Sequence, residues 1–449
     1  MGGGNILGYS GKLLVLVSIF GLLFEFVDSG GHNVSEVCGE GSRASCIKHS
    51  INAMGENEGP APQAEGPSPS QEPVASDFED IKLFLLYPVI QSFKKSITSD
   101  PFNITGTWVG PDICGKYRGF FCDNPPNNLS AKTVSSIDFN GFQLGAPSVT
   151  EFIEQFVDLA LFHANSNRFG GTISPGIANL PFLYELDVSN NLLAGAFPTA
   201  VFGIAQLSFL DIRFNSFSGT VPKQLFALLN AEVVFINNNN FMQRLPETLG
   251  SSTVSYLALA NNKFTGTIPR SICNASRSLI EVLLLNNELY GCLPYEVGFL
   301  GRATVFDVGN NRLTGPIPYS FGCLGRVEQL VLAGNSLYGR VPEVVCALGN
   351  LLNLSLSDNY FTSMGPICRS LAKSGVLDDR NNCIPGRPSQ RPVEECVEFL
   401  LKKTICPSIA SYYYIPCKIT HLDADPSSST ESRTYSALAG TRPLSPKMD

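Results

Sequence analysis

Through the middle of the chain an asparagine recurs with apolar residues at fixed offsets before it. It stands at Asn167, Asn191, Asn215, Asn239, Asn262, Asn287, Asn311, Asn335 and Asn359, at intervals of 23 to 25 residues. Five positions earlier stand Phe162, Leu186, Leu210, Val234, Leu257, Val282, Phe306, Leu330 and Leu354. Three positions earlier stand Ala164, Val188, Ile212, Ile236, Leu259, Leu284, Val308, Leu332 and Leu356. Seven positions later, eight of nine copies have proline, from Pro198 to Pro366. A glycine follows the asparagine at Gly195, Gly219, Gly266, Gly291, Gly315 and Gly339, with Gln243 and Ser363 replacing it in two copies. A degenerate first copy ends near Asn140.

Alternating apolar positions followed by a turn and a proline-opened return predict one short strand and one irregular return per copy. No single copy buries its apolar face, so neighbours must stack. The expected fold is an α/β solenoid with a parallel β-sheet on its concave face. An asparagine side chain both donates and accepts. The Asn column is therefore read as a scaffold that satisfies the backbone of stacked turns, with no binding role.

The flanks differ in pattern. Lys12, the apolar run Leu13 to Phe24 and the small residues Ser29, Gly30 and Gly31 have the order of a cleaved signal peptide over 1–29. Residue 6 is isoleucine, so the Gly2 start is not a myristoylation signal. Residues 30–75 contain GPAPQAEGPSPSQEPV and read as a disordered Pro-rich acidic linker. An N-terminal cap is expected over 76–133. There Ser76 and Glu79 have capping-box spacing, and Ile81, Leu85, Ile90, Phe93 and Ile97 suggest an amphipathic helix kinked at Pro88. About ten repeats fill 134–366, a Cys-rich C-terminal cap fills 367–418, and 419–449 reads as a disordered tail.

The export signal changes how the thirteen cysteines are read: most should form disulfides, and the odd count leaves one thiol free or joined to another chain. Cys114–Cys122 closes the N-terminal cap. Cys273–Cys292 and Cys323–Cys346 are expected to join adjacent repeats. Cys38 and Cys46 are placed to pair, and the tail pairing stays open. A disulfide-linked dimer is the expectation if the odd cysteine is intermolecular. Sequons at Asn33, Asn103, Asn128, Asn274 and Asn353 are candidate glycan sites. No stretch after the signal is long and apolar enough to span a membrane.

The formal charge of -8 argues against nucleic acid, which calls for clustered Lys and Arg. Enzyme chemistry finds no support. His32, His49, His163 and His421 are the only histidines, and no zinc, phosphate-loop or serine-hydrolase motif is present. His163, Asp187 and Asp211 share a column, but a polar strand face explains them. No metal ligand set and no cofactor is implied.

Side chains six, four, two and one positions before each ladder asparagine are expected to leave the core on the concave face. They give the candidate partner site: His163, Glu185, Asp187, Phe209, Asp211, Arg213, Phe235, Tyr256, Glu281, Leu283 and Asp307, with Phe214, Leu285 and Asp358 beside them. Apolar residues rimmed by carboxylates mark a protein interface, and the acidic excess calls for a basic partner. Phe209→Ala with Asp211→Ala is expected to abolish binding with little change in melting temperature.

The Leu-x-Gly-x-Ile-Pro turn resembles the plant-specific leucine-rich repeat. Lys95-Ser-Ile-Thr-Ser-Asp-Pro-Phe, Trp108-Val-Gly-Pro-Asp-Ile-Cys114, Tyr117-Arg-Gly-Phe-Phe-Cys122, Asp379-Arg-Asn-Asn-Cys383-Ile-Pro-Gly-Arg-Pro and Glu395-Cys396 resemble the cap and tail of the leucine-rich-repeat extensins. The resemblance covers roughly residues 78 to 400 and implies a plant-type leucine-rich-repeat horseshoe with disulfide-capped ends. It also implies a cell-wall location and a small basic cysteine-rich signalling peptide, of the rapid-alkalinization type, as ligand. No Ser-Pro-Pro-Pro-Pro repeats follow the tail, so the chain is similar to the short relatives without an extensin part, and covalent wall anchoring is not implied. The expectation is a secreted, extracellular binding protein of the wall or apoplast. The alternatives are an inhibitor of a wall-degrading enzyme such as polygalacturonase, and a passive structural component in contact with wall polysaccharide.

Overall fold

The computed structural model describes residues 72–407 and 409–418. The expected signal peptide, most of the linker with Asn33, Cys38 and Cys46, and the tail after 418 lie outside the described residues.

Twelve strands form one sheet in chain order. They are β1 (Phe120–Asp123), β2 (Thr133–Asp138), β3 (Leu161–His163), β4 (Glu185–Asp187), β5 (Phe209–Asp211) and β6 (Val233–Phe235). They continue with β7 (Tyr256–Ala258), β8 (Glu281–Leu283), β9 (Val305–Asp307), β10 (Gln329–Val331), β11 (Asn353–Ser355) and β12 (Leu377–Asp378). Only β1 and β2 pair antiparallel; every later neighbour is parallel, as the repeat requires. The middle residue of each repeat strand faces the core: Phe162, Leu186, Leu210, Val234, Val282, Phe306, Leu330 and Leu354 are fully buried. Proline then caps a short 3-10 return, as Pro222, Pro246, Pro269, Pro294 and Pro318 do. Its C=O accepts the first bond of the return, as Pro222 O does from Leu225 N, and its missing N–H is one that no helical bond requires.

The asparagine ladder is a hydrogen-bond device. Asn239 Nδ2 donates to Ile212 O at 3.0 Å in the preceding repeat and to Ile236 O and Asn237 O in its own turn. Asn239 Oδ1 accepts from Phe217 N, again in the preceding repeat. Each ladder residue thus joins its own turn to the one before it. The ladder also outlasts the expected end of the array at Pro366. Asn382 Nδ2 donates to Leu356 O, and Asn382 Oδ1 accepts from Phe361 N. The residue before each ladder asparagine takes positive φ at Ser166, Asn190, Phe214, Asn238, Asn261, Asn286, Asn310 and Asp358. That conformation favours asparagine and explains the Asn-Asn doublets of the sequence.

The N-terminal cap is built on helix α1 (Ile81–Ser96), which runs unbroken through Pro88. Its start is set by Asp80 rather than Ser76. The Asp80 carboxylate accepts from Lys82 N and also from Lys132 N, which ties the helix to the entry of β2. Ile81 and Leu85 are exposed, while Leu83, Leu86, Ile90 and Phe93 are buried, so the apolar phase differs from the expected one in the first turns. Trp108 is fully buried against Phe93, Phe120 and Phe139, and its Nε1 donates to Arg118 O. Cys114–Cys122 forms as expected.

The two inter-repeat pairs expected from sequence are not formed. Cys292 pairs with Cys406, Cys323 with Cys417, Cys346 with Cys368 and Cys383 with Cys396, leaving Cys273 as the one free cysteine among the described residues. The cause is the path of the tail. Helix α2 (Pro366–Ser374) and β12 close the last repeat, and helix α3 (Val393–Lys402) follows. The chain then runs back along the solenoid flank. Phe399 stacks on Tyr360, Tyr338 Oη donates to Thr404 O, and Tyr413 and Tyr414 reach Tyr319 and Tyr295. The segment is a strap over earlier repeats, and it supplies the partners that spacing alone assigned within the array. Gly315 shows the fit: at φ 93°, a Cβ there would collide with Cys406 Sγ.

Candidate functional site

Each repeat strand turns its middle residue inward and its two flanking residues onto the open face of the sheet. Strand pairing aligns these flanks into two columns. One runs Leu161, Glu185, Phe209, Val233, Tyr256, Glu281, Val305, Gln329 and Asn353; the other runs His163, Asp187, Asp211, Phe235, Ala258, Leu283, Asp307, Val331 and Ser355. The columns expected from sequence are therefore real, but their exposure is uneven.

At the N-terminal end, His163 Nε2 and Glu185 Oε2 are 2.8 Å apart. Burial pushes the imidazolium toward deprotonation, but the bond to Glu185 and the charges of Asp187, Glu185 and Asp138 outweigh it and raise the His163 pKa. Asp187 Oδ1 accepts from Ser189 N and Ser189 Oγ, which fixes its carboxylate.

The middle of the face is sealed, which corrects the sequence reading of three site residues. Asp211, Arg213 and Phe235 are 0, 9 and 3% exposed. Arg213 Nε lies 2.9 Å from Asp211 Oδ2, and the guanidinium stacks over the Phe235 ring at 5.2 Å. Phe209 meets Phe235 edge-on at 6.2 Å. These residues pack together because Phe235 on β6 stands directly opposite Asp211 on β5, while the buried Asp211 Oδ2 has the Arg213 ion contact but no hydrogen bond. Burial, and then the charge of Asp187, push the Asp211 pKa well up; Arg213 opposes this.

Beyond the seal, Tyr256, Glu281, Leu283, Leu285 and Asp307 are half-buried on β7 to β9 and the turn after β8. Burial, with the charge of Glu328 second, raises Glu281 to about 7. Burial raises Asp307 to about 6, against a backbone hydrogen bond from Gly309. Glu328 lies outside both columns and was missed by periodicity; its only signal was an acidic residue one place before the strand position. Phe214 and Asp358 occupy positive-φ turn positions beside the face.

Asp187 and Asp211 are direct cross-strand neighbours, and Asp211 is sealed, so the pair forms no open acid-base cleft. Among the described residues no cluster of His, Cys, Asp and Glu is placed to hold a metal ion. No helix among them is long and apolar enough to cross a membrane. A groove of about 750 Å³ lies away from the sheet, between α1 and residues 147–155.

The family described as "EGF-like domain-containing protein ComC LRR domain" matches residues 177–289, and "Leucine Rich Repeat" matches 303–324. Leucine-rich repeat extensin-like protein 6 of Arabidopsis thaliana is 47% identical over 319 residues, covering 71% of this chain and 67% of that protein. The chain belongs to the leucine-rich-repeat extensin-like family. Extensin-like protein 4 of the same plant is 45% identical over 73% of this chain, which spans 65% of it. Extensin-like protein 2 is 42% identical over 51% of this chain, which spans 29% of it. Among solved structures, the Arabidopsis receptor kinase HAESA, in complex with the peptide hormone IDA and the co-receptor SERK1, aligns with a TM-score of 0.58 and 26% identity. That alignment covers 66% of this chain and 50% of the receptor chain. A plant ice-binding protein aligns with a TM-score of 0.56 and 22% identity over 69% of this chain and 97% of its own. That likeness shows the fold alone. These relatives and neighbours are extensin-like proteins and binding ectodomains rather than enzyme families.

Proposed function

We propose that this extensin-like protein is a non-catalytic, extracellular binding module of the wall or apoplast that recognises a basic cysteine-rich signalling peptide on its concave face. The observation that carries the reading is the half-buried group Tyr256, Glu281, Leu283 and Asp307, with Glu185 and Asp187 nearer the N-terminal end. Carboxylates beside aromatic and aliphatic surface suit a cationic partner with an apolar body. The peptide hormone in the HAESA complex supports a peptide as the class of ligand for a related solenoid. Phe209 stays in the contact surface as a half-buried ring, whereas Asp211, Arg213 and Phe235 support it from beneath.

Capture from wall extracts, with peptides and glycosidases both identified, tests the proposal against its rivals. Capture of a basic peptide, lost in Tyr256→Ala/Glu281→Gln, is the expected result. Capture of a glycosidase instead makes the chain an inhibitor, and wall polysaccharide alone makes it a structural component. A disulfide-linked dimer is proposed to use Cys273, the free cysteine among the described residues. A dimer band on a non-reducing gel that survives in Cys273→Ser excludes that.

A further inference from the structure

Four sequons fall among the described residues, and all four asparagines are exposed. Asn103 and Asn128 lie in the N-terminal cap, and Asn274 lies in the 3-10 return Arg270–Ala275. Asn353 is different: it opens β11 on the concave sheet, opposite Gln329. Strand β12 begins one residue later in register, pairing Leu354 with Leu377 and Ser355 with Asp378, while Val376 before it accepts from Leu354 N. In the cap, Ser130 Oγ donates to Asn128 Oδ1 and Thr105 Oγ1 donates to Asp100 Oδ2. No such bond holds the Asn353 amide or the Ser355 hydroxyl among the described residues.

A second observation concerns charge. The two columns carry carboxylates up to Glu281 on β8 and Asp307 on β9, and again at Asp378 on β12, which is paired with Arg380. On β10 and β11 they carry Gln329, Val331, Asn353 and Ser355, with no charge. Asn353 stands two strand spacings, about 10 Å, from Val305 in the same column. A glycan is bulky and strongly hydrated. Rooted there, it stands on the uncharged step between Asp307 on β9 and the Arg380-paired Asp378 on β12.

We propose that Asn353 carries an N-linked glycan, and that this glycan covers β10 and β11 and confines a concave-face partner to the strands from β3 to β9. The transfer joins Asn353 Nδ2 to the anomeric carbon of a lipid-diphosphate-linked oligosaccharide. The N–C bond forms, the glycosyl C–O bond breaks, the lipid diphosphate leaves with the electron pair, and the amide gives up one proton. The confinement rests on the concave-face reading above; the glycan does not.

The test uses the full chain secreted from a glycosylating host. Glycopeptide mass spectrometry is expected to find Asn353 occupied, and Asn353→Gln and Ser355→Ala each to remove that glycan. Hydroxyl-radical footprinting is then expected to show severalfold more oxidation at Val331 in both variants, with Tyr290 on the flank unchanged. An unmodified Asn353, or equal oxidation at Val331, overturns the proposal. With an oligoarginine peptide as probe, protection of Tyr256 is expected in all forms, and protection of Val331 only in the two variants. Probe protection of Val331 in the glycosylated chain overturns the confinement. If the probe binds no form, the concave-face reading fails, while glycan occupancy is still decided by the mass spectrum.

Discussion

Arg213 lies over the Phe235 ring with its Nε 2.9 Å from Asp211 Oδ2, so the middle of the concave face is closed by its own residues. Asp211 Oδ1 accepts from the buried Arg213 N, and leaving such a donor unmet costs about 1–3 kcal/mol. Asp211→Ala is therefore expected to lower the melting temperature clearly, and the double change with Phe209→Ala does not separate binding from folding. Asp211→Asn keeps the shape and is expected to stay within about 1 kcal/mol at acidic pH. The pKa of Asp211 is raised, so the folded chain holds a proton that the unfolded chain releases above 3.8. Stability from this site falls as pH rises from there, and Asp211→Asn flattens that slope. A slope unchanged in the variant contradicts this.

Glu281 and Asp307 titrate near 7 and 6, so the face gains negative charge across that range. Affinity for a cationic probe such as oligoarginine is expected to rise with pH from about 5 to about 8. Their contribution to folding has the opposite sign, because a raised carboxylate pKa favours the folded state only while protonated. Calorimetric titration at several pH values checks this, with Glu281→Gln/Asp307→Asn expected to keep only the shallower dependence that His163 supplies.

Asn239 makes four hydrogen bonds to otherwise buried backbone groups. Asn239→Ala is expected to cost roughly 3 kcal/mol, or roughly 5–10 °C in melting temperature. Asn382→Ala is expected to destabilise similarly, although Asn382 lies beyond the array end expected at Pro366. Thermal melts of both decide whether the final turn belongs to the ladder.

Gly315 and Gly219 share positive φ, but only at Gly315 does a Cβ meet the tail, at Cys406 Sγ. Gly315→Ala is expected to destabilise about 1–3 kcal/mol more than Gly219→Ala. That excess is expected to vanish in a Cys292→Ser/Cys406→Ser background, which frees the strap. An excess that persists places the cost in the turn itself.

Much of the scaffold was legible beforehand, because it is local and periodic. Phe162 to Leu354 and the ladder asparagines carry their roles in fixed offsets, which a stacked repeat must satisfy copy by copy. Columns on the concave face followed from the same offsets. Exposure within those columns was not legible. Asp211 and Phe235 are four and four positions before their ladder asparagines, like Asp187 and Leu283, yet only the first two are sealed together with Arg213. That difference arises from the identity of the cross-strand neighbour, which periodicity places but does not size.

The cysteines mark the limit most clearly. Cys114–Cys122 is a short closure with both ends in one cap, so sequence alone identified it. Cys292–Cys406 and Cys323–Cys417 span 114 and 94 residues, and depend on a tail that turns back along the flank. Sequence by itself determined the strand, turn and proline-opened return of every repeat, the scaffold asparagines and the acidic character of the face. Tertiary structure alone decided which acidic residues remain accessible, where the tail is strapped and which thiol stays free among the described residues. Local pattern specifies what each repeat buries, whereas long-range partners are chosen by chain path, and no offset within a repeat encodes it.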